Sequence, residues 1–221
     1  MAKIRSYSGL IGSGKAYVMF KNIEKLKENG FSIAIISLAD PIKKFCYDCL
    51  GIQKSGQVLH FNRPKTLDQL LEAFGNYFSV STTQIKKPLE PYQNQINFIL
   101  QNKISSAEAR ILMQFIGTEL AQKIDKLFWV NLTKEQIKKS LHFDYIFIDD
   151  VRFMFELDSF EEYDDYYPYY VTAYEDVRAK RRGVSVELLR EQCQHASERE
   201  SIEKIFPYVV YHYPNNILKN N

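Results

Sequence analysis

The stretch Ile4-Arg5-Ser6-Tyr7-Ser8-Gly9-Leu10-Ile11-Gly12-Ser13-Gly14-Lys15 decides the fold. Ile4 to Ser8 reads as a short strand and Gly9 to Gly14 as a glycine-rich turn. Lys15 to Asn29 reads as a helix, with Val18, Ile23 and Leu26 among its apolar positions and Gly30 as a stop signal. The turn matches the first seven positions of the phosphate-loop pattern G-x-x-x-x-G-K, in the required place between strand and helix. Glycines let backbone N–H groups turn toward one point, where they and the helix N-terminus make a concave anion site. Lys15 adds a point charge for the β- and γ-phosphates of a nucleotide. A dinucleotide fingerprint fits less well, because its third glycine falls at Tyr17. A turn that is structural only is the competing reading. At the eighth position, where a Ser or Thr hydroxyl normally holds Mg²⁺, the chain has Ala16, followed by Tyr17.

Working outward, Phe31 to Leu38 is a nearly continuous apolar run, the pattern of a buried parallel strand. Strand, helix and strand within about forty residues is the βαβ signal of an α/β sheet. Asp40 and Pro41 stand where the next helix begins. Signals weaken over 51–105, which holds Pro64, Pro88, Pro91 and the pair Lys86-Lys87. Short helices are expected there, one around Thr66 to Tyr77, in an insertion over the ligand cleft whose apolar content looks too sparse for a core of its own. Ile111, Leu112, Phe115, Ile116 and Leu120 follow the spacing of a packed helix from Ser106 onward, and Phe128 to Leu141 reads as another. Phe143 to Ile148 is a strand ending in Asp149-Asp150, and strand ends face the ligand crevice in such sheets. Those two carboxylates are the candidate Mg²⁺ ligands in place of the missing hydroxyl, a solvated turn pair being the alternative. Tyr169 to Ala173 and Tyr208 to His212 complete the strands, and Glu161 to Asp165 reads as a solvated acidic connection.

Composition bounds the function. The 221 residues suit one domain with a sizeable insertion, and 45% hydrophobic against 25% charged residues excludes a disordered chain. The 29 Lys and Arg against 27 Asp and Glu, net +2, argue against a dedicated duplex-DNA binder. Fifteen Tyr and fifteen Phe point to core and cleft lining. The start shows no secretory leader and no apolar run reaches the ~18 residues of a membrane span, so a cytoplasmic location is expected. Three cysteines, an odd number, argue against a secreted disulfide framework. Cys46 and Cys49, with Cys193 and His195, only weakly resemble a zinc set, and two helical packing residues are the preferred reading.

The ordered series of phosphate loop, Leu38-Ala-Asp40-Pro41-Ile-Lys43, Arg110-Ile-Leu-Met-Gln114-Phe-Ile-Gly117-Thr118-Glu119, Phe128-Trp129-Val130, Asp150-Val-Arg152 and His195-Ala-Ser-Glu198 resembles phage deoxynucleoside monophosphate kinases. Animal-type phosphomevalonate kinases share part of this plan. The resemblance implies an α/β P-loop kinase fold over 1–221, with a mostly parallel central sheet flanked by helices, a substrate-binding insertion at 51–105 and a lid-like segment at 174–200. It implies transfer of the ATP γ-phosphoryl group to a deoxynucleoside 5′-monophosphate with Mg²⁺. Its partners are then small nucleotides, with no membrane and no stable nucleic-acid complex, and a homodimer is compatible with the resemblance.

By the same resemblance, Gly9, Gly12, Ser13, Gly14 and Lys15 cradle the ATP phosphates. Lys15, Asp150, Arg152 and Arg178 form the catalytic set, and Asp149 and Asp150 meet the metal. The acceptor is assigned to Asp40, Lys43, Arg110, Gln114, Thr118, Glu119, Trp129 and Arg152. Planar guanidinium groups suit phosphate oxygens, Gln114 suits a base edge, and Trp129 suits packing on the base. Arg178 and Arg182, four apart on one helical face, are the cations a lid would bring to ATP. Bland alternatives accompany these: Arg110 as a solvated helix residue, Arg152 as an ion-pair partner of Asp149 or Asp150, Trp129 as core, His195 as a capping or packing residue, and 178–182 as a solvated basic helix. Family members usually carry Lys-Asp-Thr where this chain has Lys15-Ala16-Tyr17, so two polar groups beside the metal are missing. A nucleotide-binding protein that no longer catalyses, and a kinase for another small acceptor such as phosphomevalonate, are the competing functions.

Overall fold

The computed structural model describes residues 2–52, 63–209 and 211–215. Along the chain the elements are β1 (Lys3–Ser8), α1 (Lys15–Glu28), β2 (Ile33–Ser37), α2 (Asp40–Leu50), α3 (Leu67–Phe78), α4 (Lys86–Leu89), α5 (Gln93–Gln101), α6 (Ser106–Gln114), a π-helical segment (Phe115–Leu120), α7 (Ala121–Ile124) and α8 (Phe128–Lys139). They continue with β3 (Tyr145–Asp149), α9 (Met154–Phe160), β4 (Tyr166–Thr172), α10 (Glu175–Arg182), α11 (Val186–Gln192), α12 (Ala196–Glu200), a second π segment (Ser201–Ile205), α13 (Phe206–Tyr208) and β5 (Tyr211–Pro214). The chain divides into two compact units, 1–38 with 133–221, and 39–132.

The first unit holds a five-stranded sheet in the order β2-β3-β1-β4-β5, and all of its described pairings are parallel. This is the α/β architecture of a P-loop kinase. Tyr7 of β1 stacks with Phe147 of β3 and Tyr169 of β4, at ring separations of 5.8 and 5.2 Å. Helix α1 lays Val18, Met19 and Ile23 on Tyr7, Phe147 and Val171, and this burial ties the helix after the phosphate loop to the strand before it. The apolar run at Phe31 to Leu38 is not a strand buried on both faces. It forms β2 at the edge of the described sheet, and Ile35 is 47% exposed. The final strand begins later than Tyr208, since Pro207 stands in the first turn of α13 and β5 starts only at Tyr211.

The second unit is helical and extends beyond the stretch 51–105, of which 53–62 lies outside the described residues. That stretch is richer in core than its sequence suggests: Leu67, Leu70, Leu71 and Phe74 of α3 are buried, as are Ile96, Ile99 and Leu100 of α5. They become a core by pooling with α2 and with the helices up to 132. Phe45 meets Phe74, Tyr77 and Phe78, and Phe74 and Phe78 meet Phe128 and Trp129, all at ring separations between 5.3 and 6.2 Å. Thr66 caps α3 by accepting from the Gln69 N–H, and Ser105 and Glu108 form a capping box at α6.

Candidate functional site

Strand β1 lies between β3 and β4, so its C-terminal end delivers Gly9 to Gly14 from the middle of the sheet. Gly9, Gly12 and Gly14 all have positive φ, at 139°, 79° and 85°. All three also face close neighbours, the Asn215 side-chain nitrogen lying 2.4 Å from where a Cβ on Gly14 would stand. A Cβ on Gly9 would lie 2.3 Å from the Val171 carbonyl oxygen, and one on Gly12 would lie 3.0 Å from that of Arg178. Between them the Ser13 N–H closes a turn onto the Leu10 carbonyl at 3.0 Å. Helix α1 starts with Gly14 as its N-cap and has no acidic residue in its first turn, so no side chain caps its leading amides. The Ser13 hydroxyl is buried without a hydrogen-bond partner, and so is that of Ser8. Uncapped amides, an orphaned hydroxyl and a lysine at one turn are groups suited to receive an anion.

Lys15 reaches back to the Gly9 carbonyl at 2.7 Å and lies 3.9 Å from the Asp150 carboxylate. Asp150 follows β3 with a left-handed φ of 68°, a conformation few non-glycine residues adopt. Arg152 grips it with two nitrogens, Nε and Nη2, each at 3.0 Å, so the ion-pair alternative for Arg152 is realised. Its third nitrogen, Nη1, lies 3.4 Å from Glu198. Glu198 is buried and accepts the Ile11 N–H at 2.9 Å. Glu156, buried behind them, accepts the N–H groups of Arg152 and Phe153 at 2.7 and 3.0 Å. Burial pushes its carboxyl up to about 7 against the opposing pull of those two hydrogen bonds.

Helix α10 backs the loop. Arg178 is buried and donates to the Ile11 carbonyl at 3.3 Å, with the Cys193 sulfur at 3.6 Å and its Nε unpartnered. Its companion on that face is Arg181 and not Arg182. Arg181 donates to the carbonyls of Gly12, Ser13 and Asn215 at 3.1, 2.9 and 2.8 Å, while Arg182 is exposed. A spacing of three shares a helical face as well as a spacing of four, and the short α10 turns the third position inward. Asn215 is buried just after β5 and donates its side-chain N–H to the Ser13 carbonyl at 3.0 Å. No motif signals it. His195 caps α12 through its carbonyl, which accepts from Glu198 and Arg199 at 2.9 and 3.1 Å.

The sheet unit therefore gathers Gly9, Gly12, Ser13, Gly14, Lys15, Asp150, Arg152 and Arg178. Asp149, which ends β3, and the exposed Arg182 also belong to the sheet unit, and the remaining assigned residues belong to the helical unit. Asp40 opens α2, exposed, and pairs with Lys43 at 3.3 Å. Arg110 and Gln114 lie half-buried one turn apart on α6. Thr118 and Glu119 lie half-buried in the π segment, where the Tyr92 hydroxyl donates to Glu119. Trp129 does not offer a face to a base: it is 5% exposed among the rings, and its Nε1 donates to the Gly117 carbonyl at 2.8 Å. An open crevice of about 540 Å³ between α3 and the Ser79 to Thr83 turn, edged by Asp68 and Lys86, contains none of the assigned residues. Cys46 is buried, which pushes its thiol up to about 12, and all three cysteines are free. Among the described residues no three His, Cys, Asp or Glu side chains cluster as a metal cage, and no helix is long and apolar enough to cross a membrane.

The chain is similar over 98% of its length to the crystallised Thermus thermophilus protein TT1252, covering 90% of that chain at 15% identity and a TM-score of 0.44. Among curated proteins no relative matches. The family model for deoxynucleotide monophosphate kinase matches residues 64–176, more than half of the chain, including Arg110 to Glu119, Trp129 and Asp149 to Arg152. By that match the chain belongs to the deoxynucleotide monophosphate kinase family.

Proposed function

We propose that the protein transfers the γ-phosphoryl group of ATP to a deoxynucleoside 5′-monophosphate, giving ADP and the diphosphate. The observation that carries this is the phosphate loop: three left-handed glycines, an uncapped helix start and Lys15, in a chain of the deoxynucleotide monophosphate kinase family. Phosphoryl transfer asks the protein for positioning and charge neutralisation more than for a nucleophile. Lys15 would leave the Gly9 carbonyl for the β- and γ-phosphates, Arg178 holds positive charge against the same loop, and Arg152 is linked to it through Asp150 and Glu198. Asp40, Lys43, Arg110, Gln114, Thr118 and Glu119 would bind the acceptor, with Arg110 suited to its phosphate and Gln114 to its base. The segments 51–105 and 174–200 serve acceptor binding and ATP enclosure in this reading.

Mg²⁺ fits the residues present, since it is commonly held by one or two carboxylates with substrate phosphates and waters filling an octahedron. Asp149 and Asp150 at the end of β3 supply such oxygens, and Ala16 supplies none. When bound, the ion neutralises charge on the transferring phosphoryl group. The exposed Ala16 methyl favours one second reading, a protein that binds ATP without turning it over.

A coupled assay of ADP formation across a panel of natural and modified deoxynucleoside monophosphates, with and without Mg²⁺, tests the proposal. Mg²⁺-dependent turnover of at least one acceptor is expected. ATP binding by calorimetry without turnover, restored in part by Ala16→Asp with Tyr17→Thr, would establish the second reading instead. Neither binding nor turnover by the folded protein rejects both.

A further inference from the structure

The roles proposed above leave Glu198 without a task, although it is among the few buried charged side chains, at 4% exposure. A carboxylate is costly to bury unless each oxygen finds a donor. Both do. Oε2 accepts the Ile11 N–H at 2.9 Å, and Oε1 faces Arg152 Nη1 at 3.4 Å. Ile11 belongs to the phosphate loop. Arg152 in turn holds Asp150 with two hydrogen bonds, and Asp150 lies 3.9 Å from Lys15. Glu198 thus closes a circuit that leaves the loop at the Ile11 amide and returns to it at the Lys15 ammonium.

We infer that Glu198 is a positioning residue for the phosphate loop, pinning the Ile11 amide with one carboxylate oxygen and the Arg152 guanidinium with the other. Loop shape and the placement of Arg152, Asp150 and Lys15 are then set together by one side chain from α12. The inference rests on Gly9 to Lys15 being the ATP-phosphate site. A role limited to fastening α12 does not need this geometry. Glu200, two residues on, already fastens that helix by accepting the Met154 N–H at 3.0 Å and touches no part of the loop.

The experiment uses the whole chain. Glu198→Ala removes both anchors. Glu198→Gln keeps the shape and an amide oxygen for Ile11 but loses the charge that holds Arg152, and charge-assisted hydrogen bonds are roughly twice as strong as neutral ones. Glu200→Ala is the control. Hydrogen exchange of the Ile11 amide, followed by NMR in the nucleotide-free protein, is expected to accelerate at least tenfold in Glu198→Ala, about threefold in Glu198→Gln and not at all in Glu200→Ala. In kinetics with ATP, Glu198→Ala should raise KM about tenfold and lower kcat, whereas Glu198→Gln should lower kcat several-fold at nearly unchanged KM.

Wild-type exchange at Ile11 in Glu198→Ala, or equal losses in Glu200→Ala, overturns the inference. If Glu198→Ala does not fold, Glu198→Gln decides alone, and wild-type exchange there overturns it. If the wild-type protein neither binds nor turns over ATP, the proposed function fails on its own account, and the Ile11 exchange rates still decide whether Glu198 pins the loop.

Discussion

Replacing Gly9 by alanine adds one methyl group where the structure has no room for it. The new Cβ would stand 2.3 Å from the Val171 carbonyl oxygen, 3.0 Å from Ser13 Oγ and 3.2 Å from the Val171 carbonyl carbon. Val171 cannot turn aside, because β4 pairs with β1 on one side and β5 on the other, with Val171 opposite Tyr213. Two costs add. Holding alanine near Gly9's φ of 139° costs about 1–3 kcal/mol. Forcing a methyl into filled space costs about 1–3 kcal/mol more. The expected loss is about 2–6 kcal/mol, or roughly 4–24 °C in Tm for a chain of this length.

Gly30→Ala isolates the first cost. Gly30 also has a left-handed φ, 81°, but a Cβ there meets nothing within 4 Å, so about 1–2 kcal/mol is expected. Urea unfolding of both variants, followed by circular dichroism, makes the comparison. Because the Gly9 carbonyl also anchors Lys15 at 2.7 Å, ATP affinity measured by calorimetry should fall in folded Gly9→Ala and hold in Gly30→Ala. Equal destabilisation of the two variants at unchanged m-value would show that the close approach of loop and β4 is not real.

Three further outcomes are expected. Arg181→Ala, which loses three hydrogen bonds to the carbonyls of Gly12, Ser13 and Asn215, should cost about 2–3 kcal/mol in thermal or urea unfolding, whereas exposed Arg182→Ala should stay within about 0.5 kcal/mol. Glu156 titrates higher in the native state than in the unfolded chain, at about 7 against 4.5. The native state therefore binds the extra proton, and stability falls as pH rises through that interval, by up to about 3 kcal/mol, and is level above it. Glu156→Gln should flatten the difference between pH 5 and pH 8 in urea unfolding, and an unchanged slope would assign it to other groups. Trp129→Phe should cost about 1–2 kcal/mol by leaving the Gly117 carbonyl without its Nε1 donor, read as a fall in Tm with the ring cluster otherwise intact.

The part of the site legible in the sequence is the part whose chemistry is local. Gly9, Gly12, Gly14 and Lys15 announce themselves because backbone turning and a helix start are encoded within seven residues, and the backbone does turn there, with positive φ at all three glycines. Asp149 and Asp150 are legible for the same reason, as the polar end of an apolar strand. What escapes is whatever tertiary packing decides. The apolar run at Phe31 to Leu38 has the composition of a central strand and sits at the edge, since strand order is set by crossovers and not by any strand's own residues. Trp129, assigned to packing on a base, is core beside the buried Phe74 and bonded to Gly117, because only the fold brings α3 and α8 together. Arg181 and Arg182 are adjacent and chemically identical, and only the angle at which α10 meets the loop separates a buttress from a solvated cation. Asn215 and Glu198 show the limit most clearly: each reaches the phosphate loop across more than 180 residues of sequence, as Asn215 to Ser13 and Glu198 to Ile11, through a single hydrogen bond to the loop backbone. Backbone groups look alike in every sequence, so a residue that acts by holding them leaves no pattern to read, and its role appears only once the chain has folded.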